Sequence, residues 1–442
     1  MKLFKRILLA LLLIIGIAAI YNYPKLNIIA GYAGKNAASN NFIAKRTLAD
    51  IAANDNDMPL INLTEVTSNG NQIDASVFGL LERKTICREG LGCVLVNDKY
   101  DLNTILPVPE RITAADSLPF PYGNVGRKDS IFDTINYDKL KKAVEDAFSN
   151  NEVVKSRTVM VIYKDHIVAE KYLNGFNAET PILGWSMTKS VLATLYGILE
   201  YQGKLKVVEP APVEAWKNDD RQQITLNHLL RMESGLAWDE DYAAISDVTK
   251  MLFLESDMTS VQARQEAIAQ PSEVWNYSSG TTNLLSGILR KQFATHEQYL
   301  NFPYAALIDK IGMHSMLIEA DMEGNYVGSS YGWASTTDWA KFGLLYLHRG
   351  NWNGTQLFAP EWVDYVTTPT LDSDGVYGAH FWLNSGGKYP DAPRDVFSAN
   401  GFQGQRVFIV PSKDLIVVRT GLANESIFDS NALLRDVIAA IK

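Results

Sequence analysis

Basic clusters, cysteine and histidine are all scarce in this sequence. Its 442 residues include two cysteines and six histidines, and the formal net charge is −9. Phosphate binding needs clustered lysine and arginine, and no basic run follows the N-terminus, which argues against a nucleic-acid partner. The few cysteines and histidines lack the spacing of a zinc site, so we expect no metal and no other cofactor.

Long hydrophobic runs are also missing, apart from one at the N-terminus. Lys2, Lys5 and Arg6 precede 14 apolar residues at positions 7–20. This run fits the apolar core of a signal peptide, which has roughly 7 to 15 residues, and it is short for a membrane-spanning helix, which needs ~20. The segment therefore predicts export of the rest of the chain.

The sequence leaves open whether this segment is removed after export. Two small-residue sites, 16–18 and 31–33, fit signal cleavage only moderately, whereas Tyr21 and Tyr23 suit the interface of a retained anchor. We expect residues 1–22 to be a signal anchor or a signal peptide. As an anchor the segment contacts the bacterial inner membrane and leaves the body in the periplasm; if it is cleaved, the protein is secreted.

The two cysteines, Cys87 and Cys93, are separated by Arg-Glu-Gly-Leu-Gly. In an oxidising compartment they can form a small disulfide loop, and the two glycines ease the tight turn. Two independent buried thiols are the alternative.

Beyond the first segment the chain divides into two regions. Residues 23–132 are irregular and rich in Asn, Asp, Gly and Pro, which predicts an extended N-terminal arm or lid. From 133 to 442 the hydrophobic pattern is sharper, with a helix expected over 137–148 and a β-hairpin with strands at 158–163 and 167–172.

The order of elements in the second region indicates its fold class. Further strands are expected at 396–399, 406–410 and 415–419, and about 204–320 is mainly helical in pattern. We expect an α/β protein of the α+β kind. One antiparallel sheet, built from both ends of the region and flanked by helices, should carry a mainly helical insertion.

A Ser-x-x-Lys sequence occurs twice, at Ser186-Met-Thr-Lys189 and at Ser385-Gly-Gly-Lys388. The first follows a Gly-Trp turn and begins a predicted helix, on which residues three apart share a face, so Lys189 can reach Ser186. The start of a helix also favours a developing oxyanion and a neutral lysine, through its N–H groups and positive partial charge. The second lies in a Gly-Gly turn, where no such geometry is implied.

A neutral lysine can activate a serine hydroxyl as its general base. Tyr277, in the stretch Trp-Asn-Tyr-Ser-Ser-Gly, is a candidate second proton carrier. A phenol near two cationic groups is expected to shift towards the phenolate. Without the other motifs, Tyr277 would be interpreted as a core aromatic residue.

Together these motifs resemble the serine β-lactamase and penicillin-binding-protein superfamily. The closest likeness is to its class C β-lactamase-like branch, which includes esterases, D-alanyl-D-alanine carboxypeptidases and nylon-oligomer hydrolases. The resemblance covers about Tyr137 to the C-terminus and implies a β-lactamase/transpeptidase-like fold. The motifs follow the family's order: Ser186-x-x-Lys189, then Tyr277-Ser-Ser279 in the place of Tyr-x-Asn, then Ala399-Asn-Gly401 in the place of Lys/His-x-Gly, with familial stretches at 224–236, 333–345 and 401–405.

The resemblance implies a role for each of these residues. Ser186 would form an acyl-enzyme, with Lys189 and Tyr277 as general base and acid. The backbone N–H groups of Ser186 and Phe402 would form the oxyanion hole. Contacts to the substrate, a small ester or amide or a peptide, would come from Ser279, Asn400, Gly401 and Gln405.

Two departures from the family's pattern bear on the substrate. Ser279 replaces an asparagine, and Ala399 replaces the basic residue that helps to bind a β-lactam or peptide carboxylate. Both departures argue against efficient β-lactam hydrolysis and favour cleavage of a small ester or amide. Arg406 could supply a polar contact, although it is interpreted as a plain strand residue.

Other functions stay open as alternatives. Within the same resemblance these are a β-lactamase, a D-alanyl-D-alanine carboxypeptidase and a non-catalytic penicillin-binding-like module. An esterase with a histidine triad is a third class, but the sequence around Ser186 lacks the second glycine of a nucleophile elbow. His228 lies in a helical context and is interpreted as structural, while His380 is left open. The oligomeric state is not readable from the sequence.

Overall fold

The computed structural model describes residues 2–112, 118–123 and 130–442. Met1 and two stretches of the expected N-terminal arm, 113–117 and 124–129, lie outside the described residues.

A single helix, α1 (Lys2–Phe42), begins the described chain. It continues without a break across position 22, where the anchor or signal segment was expected to end. Apolar side chains near its start are exposed, including Phe4 and Leu9 at 70% each. Ala33 and Ala37, further along, are buried against the body of the protein. The second half of α1 is therefore part of the folded core.

No helix in the described part of the chain combines the length and the apolar character needed to cross a membrane. The expectation of a membrane anchor is not confirmed by this finding.

The region after α1 is a small sheet packed on that helix, so the prediction of an irregular arm is wrong for this stretch. The sheet is antiparallel and its strands lie in sequence order. Its signal in the sequence is weak because the strands are short, polar on one face and separated by Asn-Gly and Gly turns. Gly34 lets the helix approach the sheet closely, since a Cβ there would lie 3.0 Å from Ala75 Cβ. The elements are α2 (Leu48–Ala53), β1 (Thr64–Asn69), β2 (Gln72–Val77), β3 (Leu80–Arg88) and β4 (Gly92–Val96).

Cys87 and Cys93 form a disulfide between β3 and β4, as one of the two alternatives predicted. The two residues are direct partners in the antiparallel register. The bridge therefore closes the hairpin at its turn.

The rest of the chain is built around a six-stranded antiparallel sheet in the order β12-β13-β14-β15-β5-β6. The expected fold class is confirmed, because this sheet joins strands from both ends of the region. The remaining strands are β5 (Ser156–Tyr163), β6 (His166–Tyr172), β7 (Ile182–Leu183), β8 (Leu317–Ile318), β9 (Gly332–Ala334), β10 (Asn351–Trp352), β11 (Thr355–Gln356), β12 (Trp382–Leu383), β13 (Phe397–Gly401), β14 (Gln405–Val410) and β15 (Leu415–Gly421).

Helices cover both faces of this sheet. The first two, with the last, are α3 (Tyr137–Asp146), α4 (Asn151–Val154) and α12 (Ser430–Ala439). Those between are α5 (Met187–Tyr201), α6 (Leu226–Leu230), α7 (Asp247–Leu254), α8 (Ser279–Arg290), α9 (His296–Pro303), α10 (Thr336–Leu347) and α11 (Glu361–Thr367). Helices α6 to α9 lie in the expected insertion.

The central strands are buried on both sides because each face has its own hydrophobic core. On one face, α3 and α12 pack against Val161 and Val417. On the other, α5 and α10 pack against Ile162 and Val418. Helix α5, which begins directly after Ser186, is thereby fixed between the sheet and the helical insertion.

Candidate active site

Ser186 lies at the N-terminal end of α5, in a sharp turn that follows β7. The preceding residue, Trp185, has a φ of 48°. Non-glycine residues rarely adopt this left-handed conformation unless the surrounding structure holds them there. Here Trp185 contacts four aromatic rings, with centroid distances that include 6.3 Å to Tyr32 of α1 and 5.5 Å to Phe402. The N-terminal helix thus helps to hold the turn that presents Ser186.

Lys189 lies one helical turn after Ser186, and its ammonium is in contact with the serine. Nζ is 3.0 Å from Ser186 Oγ, 2.8 Å from Ser279 Oγ and 2.9 Å from the carbonyl oxygen of Ser329. The geometry predicted from the spacing is therefore present. Burial lowers the pKa of Lys189 to about 8, against the opposing effect of Glu240. A lysine with this pKa has an accessible neutral form near neutral pH.

Tyr277 faces the same centre, but its ionisation differs from the prediction. Lys189 Nζ lies 4.9 Å from the centroid of its ring. Burial, with the negative charge of Glu240, raises the pKa of Tyr277 far above that of a free phenol. Ser186 and Arg406 oppose the shift without reversing it. The expectation of a phenolate is wrong because the Tyr277 side chain is buried and a carboxylate lies nearby, so Tyr277 is a neutral phenol.

That carboxylate belongs to Glu240, which the sequence analysis did not identify. It comes from the loop between α6 and α7. One oxygen accepts hydrogen bonds from the Ser279 backbone N–H at 2.9 Å and from Trp238 Nε1 at 2.5 Å. The other accepts the Ser279 hydroxyl at 2.5 Å. Burial raises the pKa of Glu240, although Lys189 and these donors favour its anionic form.

Ser279, at the start of α8, therefore does not have the predicted role. It is fully buried, and its hydroxyl is engaged by both Lys189 and Glu240. It is thus withheld from a substrate. Instead of the expected contact with a substrate, Ser279 links Lys189 to Glu240.

Gly401 and Phe402 lie beside Ser186, at the end of β13. A Cβ at Gly401 would lie 2.0 Å from the carbonyl oxygen of Gly184, so only glycine fits at this position. This close approach brings the backbone of Phe402 next to the turn that carries Ser186. The pairing of the Ser186 and Phe402 N–H groups in an oxyanion hole stays a prediction.

A cavity of about 280 Å³ opens above Ser186. Asn400 and Gly401 line it, and their contact with a substrate stays a prediction. Asn400 Oδ1 is buried, and within the described part of the chain it has no hydrogen-bond partner. A buried acceptor of this kind is costly unless a ligand or water supplies a donor. Its lining also includes Ser186, Glu240, Tyr242, Tyr277, Phe402, Lys388, Arg406 and Glu425.

The second Ser-x-x-Lys sequence contributes to the same cavity through its lysine. Lys388 Nζ forms an ion pair of 2.7 Å with Glu425. Arg406 also pairs with Glu425, at 2.9 Å, and donates to the Gly401 carbonyl oxygen at 2.9 Å. Burial of Glu425 is outweighed by Arg406 and Lys388, which lower its pKa to about 2. This end of the cavity thus holds two cations and one anion, and Arg406 is more than a plain strand residue.

Gln405 does not line the cavity, contrary to the prediction. Its side chain exchanges hydrogen bonds with the backbone of Gly421, at 2.6 Å and 3.1 Å. Successive side chains of a strand point to opposite faces, so Arg406 faces the cavity side and Gln405 does not. Gln405 instead links β14 to β15.

Both histidines considered for a triad have structural roles. His380 is buried, with Nδ1 2.6 Å from the Leu230 carbonyl oxygen and Nε2 3.0 Å from Thr282 Oγ1. Burial lowers the pKa of His380 to about 3. His228 accepts a hydrogen bond from the Thr225 backbone N–H and caps α6. Across the described ranges, no group of three or more His, Cys, Asp or Glu side chains is placed to hold a metal ion.

Comparison with known proteins identifies the family. The family model described as Beta-lactamase matches residues 142–439, more than half of the chain. The chain belongs to the beta-lactamase family. Its N-terminal helix and four-stranded sheet precede the matched region, whereas Ser186, Lys189, Glu240 and Tyr277 all lie within it. A search of curated proteins gave no match.

Solved structures agree with this beta-lactamase assignment at the level of the fold. The chain is similar to a family VIII carboxylesterase at 15% identity, with 71% of this chain and 99% of the other covered and a TM-score of 0.55. It is also similar to a penicillin-binding protein homologue from Caulobacter crescentus at 16% identity, 71% and 99% coverage and a TM-score of 0.53. A third is EstCE1, a hydrolase with promiscuous acyltransferase activity, at 13% identity, 69% and 99% coverage and a TM-score of 0.54.

Proposed function

We propose that this protein is a serine hydrolase that cleaves a small ester or amide through an acyl-enzyme on Ser186. The observation that carries the proposal is the 3.0 Å contact between Ser186 Oγ and a lysine whose pKa is lowered by burial. A serine hydroxyl needs a base within hydrogen-bond reach before it becomes an effective nucleophile. Lys189 is such a base, and Ser186 lines a cavity that a substrate can enter.

The first step forms the acyl-enzyme. Ser186 Oγ attacks the carbonyl carbon, and its proton passes to Nζ of Lys189. The backbone N–H groups of Ser186 and Phe402 would bind the resulting oxyanion, at about 3 kcal/mol of transition-state stabilisation per donor. When the bond to the leaving group breaks, the leaving group takes a proton from the Tyr277 hydroxyl, and Lys189 returns its proton to Tyr277.

The second step releases the acid. A water molecule enters in place of the leaving group and gives up a proton along the same route. The water oxygen attacks the acyl carbon. The bond between that carbon and Ser186 Oγ then breaks, and Ser186 Oγ is reprotonated. The raised pKa of Tyr277 suits a group that must hold its proton until the leaving group needs it.

Two features of the cavity support a substrate with polar groups. Asn400 Oδ1 is a buried acceptor able to receive an N–H, which favours an amide or peptide on that side. Lys388 also lines the cavity and can meet an anionic group. A β-lactamase or a D-alanyl-D-alanine carboxypeptidase therefore stays a second candidate. Ala399 itself supplies no cation, but Lys388 and Arg406 both line the cavity.

We also propose that the body of the protein lies outside the cytoplasm, in the periplasm or secreted. Support comes from the basic and apolar N-terminal segment and from the Cys87–Cys93 disulfide, since disulfides persist in oxidising compartments. Protease digestion of intact spheroplasts should degrade a C-terminally tagged chain. Full protection of the tag, with a cytoplasmic control also intact, would refute export.

Labelling with a fluorescent fluorophosphonate tests the proposed activity. We expect the wild type to be labelled and Ser186→Ala to remain unlabelled. Equal labelling of both proteins, or none of the wild type, sinks the acyl-enzyme and favours the non-catalytic module. A histidine-triad esterase would instead lose labelling in His380→Ala and keep it in Lys189→Ala.

A further inference from the structure

Glu240 is a partly buried carboxylate at the catalytic centre with no part in the steps above. It accepts three hydrogen bonds, two from the hydroxyl and backbone N–H of Ser279 and one from Trp238 Nε1. The hydroxyl of Ser279 therefore lies between Glu240, at 2.5 Å, and Lys189 Nζ, at 2.8 Å.

The chemistry of these groups fixes the direction of each hydrogen bond. An ionised carboxylate only accepts, so the single proton of the Ser279 hydroxyl points to Glu240. Ser279 Oγ must then accept from Lys189. The Ser329 carbonyl oxygen, 2.9 Å from Nζ, also only accepts.

A neutral lysine amine has two N–H donors and one lone pair. Both donors are committed here, one to Ser279 Oγ and one to the Ser329 carbonyl oxygen. The third contact of Nζ is Ser186 Oγ at 3.0 Å, so the lone pair faces the Ser186 hydroxyl. This is the orientation that a general base requires.

We propose that Glu240 is a positioning residue that acts through Ser279 to aim the lone pair of Lys189 at Ser186. The proposal rests on the proposed function of Lys189 as base. Glu240 also supplies a negative charge beside the ammonium that forms when Lys189 takes the serine proton. Without that charge a buried cation would be left uncompensated.

The proposal also explains why this chain has serine where the family has asparagine. An asparagine side-chain oxygen can only accept, so it orients the lysine by itself. A serine hydroxyl can donate or accept, so it orients the lysine only if another group takes its proton. Ser279 and Glu240 together therefore orient Lys189 as a single asparagine side chain would.

Glu240→Gln tests this role because it keeps the shape and removes the charge. Its amide N–H can donate to Ser279 Oγ, which frees the serine proton to turn onto the lone pair of Lys189. We expect kcat/KM for a p-nitrophenyl ester to fall about 10- to 100-fold with KM little changed. The rising limb of the pH profile should move below the wild-type pKa of about 8, because Glu240 raises that pKa.

The same substitution in a Ser279→Asn background provides the rescue. There we expect Glu240→Gln to cost less than about threefold, because the asparagine orients Lys189 unaided. The proposal is overturned if Glu240→Gln lowers kcat/KM equally in the wild-type and Ser279→Asn backgrounds. It is also overturned if the rising limb of the pH profile stays near pH 8 in the Glu240→Gln single variant. If Ser279→Asn does not fold by circular dichroism, the position of the limb alone decides.

A failure of the proposed function looks different from a failure of this inference. If Ser186 is not the nucleophile, the wild type itself is not labelled by the fluorophosphonate. If only the role of Glu240 is wrong, wild type and Glu240→Gln are both labelled, and the pH dependence of the labelling rate is the same in both.

Discussion

The two Ser-x-x-Lys sequences of this chain have the same spacing and different surroundings. Ser186 and Lys189 share one face of α5, and Nζ lies 3.0 Å from Oγ. Ser385 lies on the surface, where its hydroxyl donates to the Gly375 carbonyl oxygen at 2.7 Å, and Lys388 pairs with Glu425. The first lysine is buried and the second is exposed. A motif becomes a candidate catalytic pair through its helix and its burial. Lys388 nevertheless lines the same cavity as Ser186.

The largest expected difference between the two sequences is at the serines. Ser186→Ala should lower ester turnover by about 10⁴-fold or more, because it removes the proposed nucleophile. Ser385→Ala should stay within twofold of the wild type. Steady-state kinetics on a p-nitrophenyl ester measures both, and comparable losses would contradict the distinction.

The lysines should differ by less. Lys189→Met removes the base and should lower kcat by about 10³-fold. Lys388→Met should leave the kcat for a neutral ester within about threefold, since Lys388 is not the proposed base and its ammonium pairs with Glu425. Melting temperatures of both variants control for unfolding. A large loss of kcat in Lys388→Met would contradict the assignment of Lys189 as the general base.

The pH dependence follows from the pKa of Lys189, about 8. Only the neutral amine accepts the serine proton, and its fraction falls about tenfold per pH unit below the pKa. We therefore expect kcat/KM to rise with pH from 6 and to level off above about 8. A profile that is flat between pH 6 and pH 9 would exclude Lys189 as the base.

The smallest expected effect concerns charge in the substrate. Lys388→Met should lower kcat/KM about fivefold for a carboxylate-bearing ester and leave a neutral analogue unchanged, since an exposed ion pair is worth about 1 kcal/mol. The difference should shrink in 0.5 M salt. A loss of equal size for both esters would show that Lys388 acts through packing with Glu425.

Local features of the sequence predicted the contact between Ser186 and Lys189 and the central sheet. The hairpin of β5 and β6 and the start of α5 depend on neighbours within one or two turns, so pattern and spacing were enough. The same is true of the Cys87–Cys93 bridge.

Features that depend on distant residues were missed. Glu240 reaches Ser279 from a loop 39 positions earlier, and nothing in its own surroundings marks it. Burial of Tyr277, together with this carboxylate, also reversed the expected ionisation of its phenol. Lys388 was set aside because its Gly-Gly turn offers no helix, yet the fold brings that turn to the cavity. Gln405 was assigned to the substrate, and the alternation of β14 turns it to the other face.

Trapping the acyl group on the protein tests the central claim most directly. Rapid-quench mass spectrometry of the full chain with a p-nitrophenyl ester should detect one acyl group per molecule. Peptide mapping should place the acyl group on Ser186, and Ser186→Ala should carry none. An adduct on Ser385 or any other residue, or ester turnover with no acyl intermediate in a burst-phase experiment, would contradict the account.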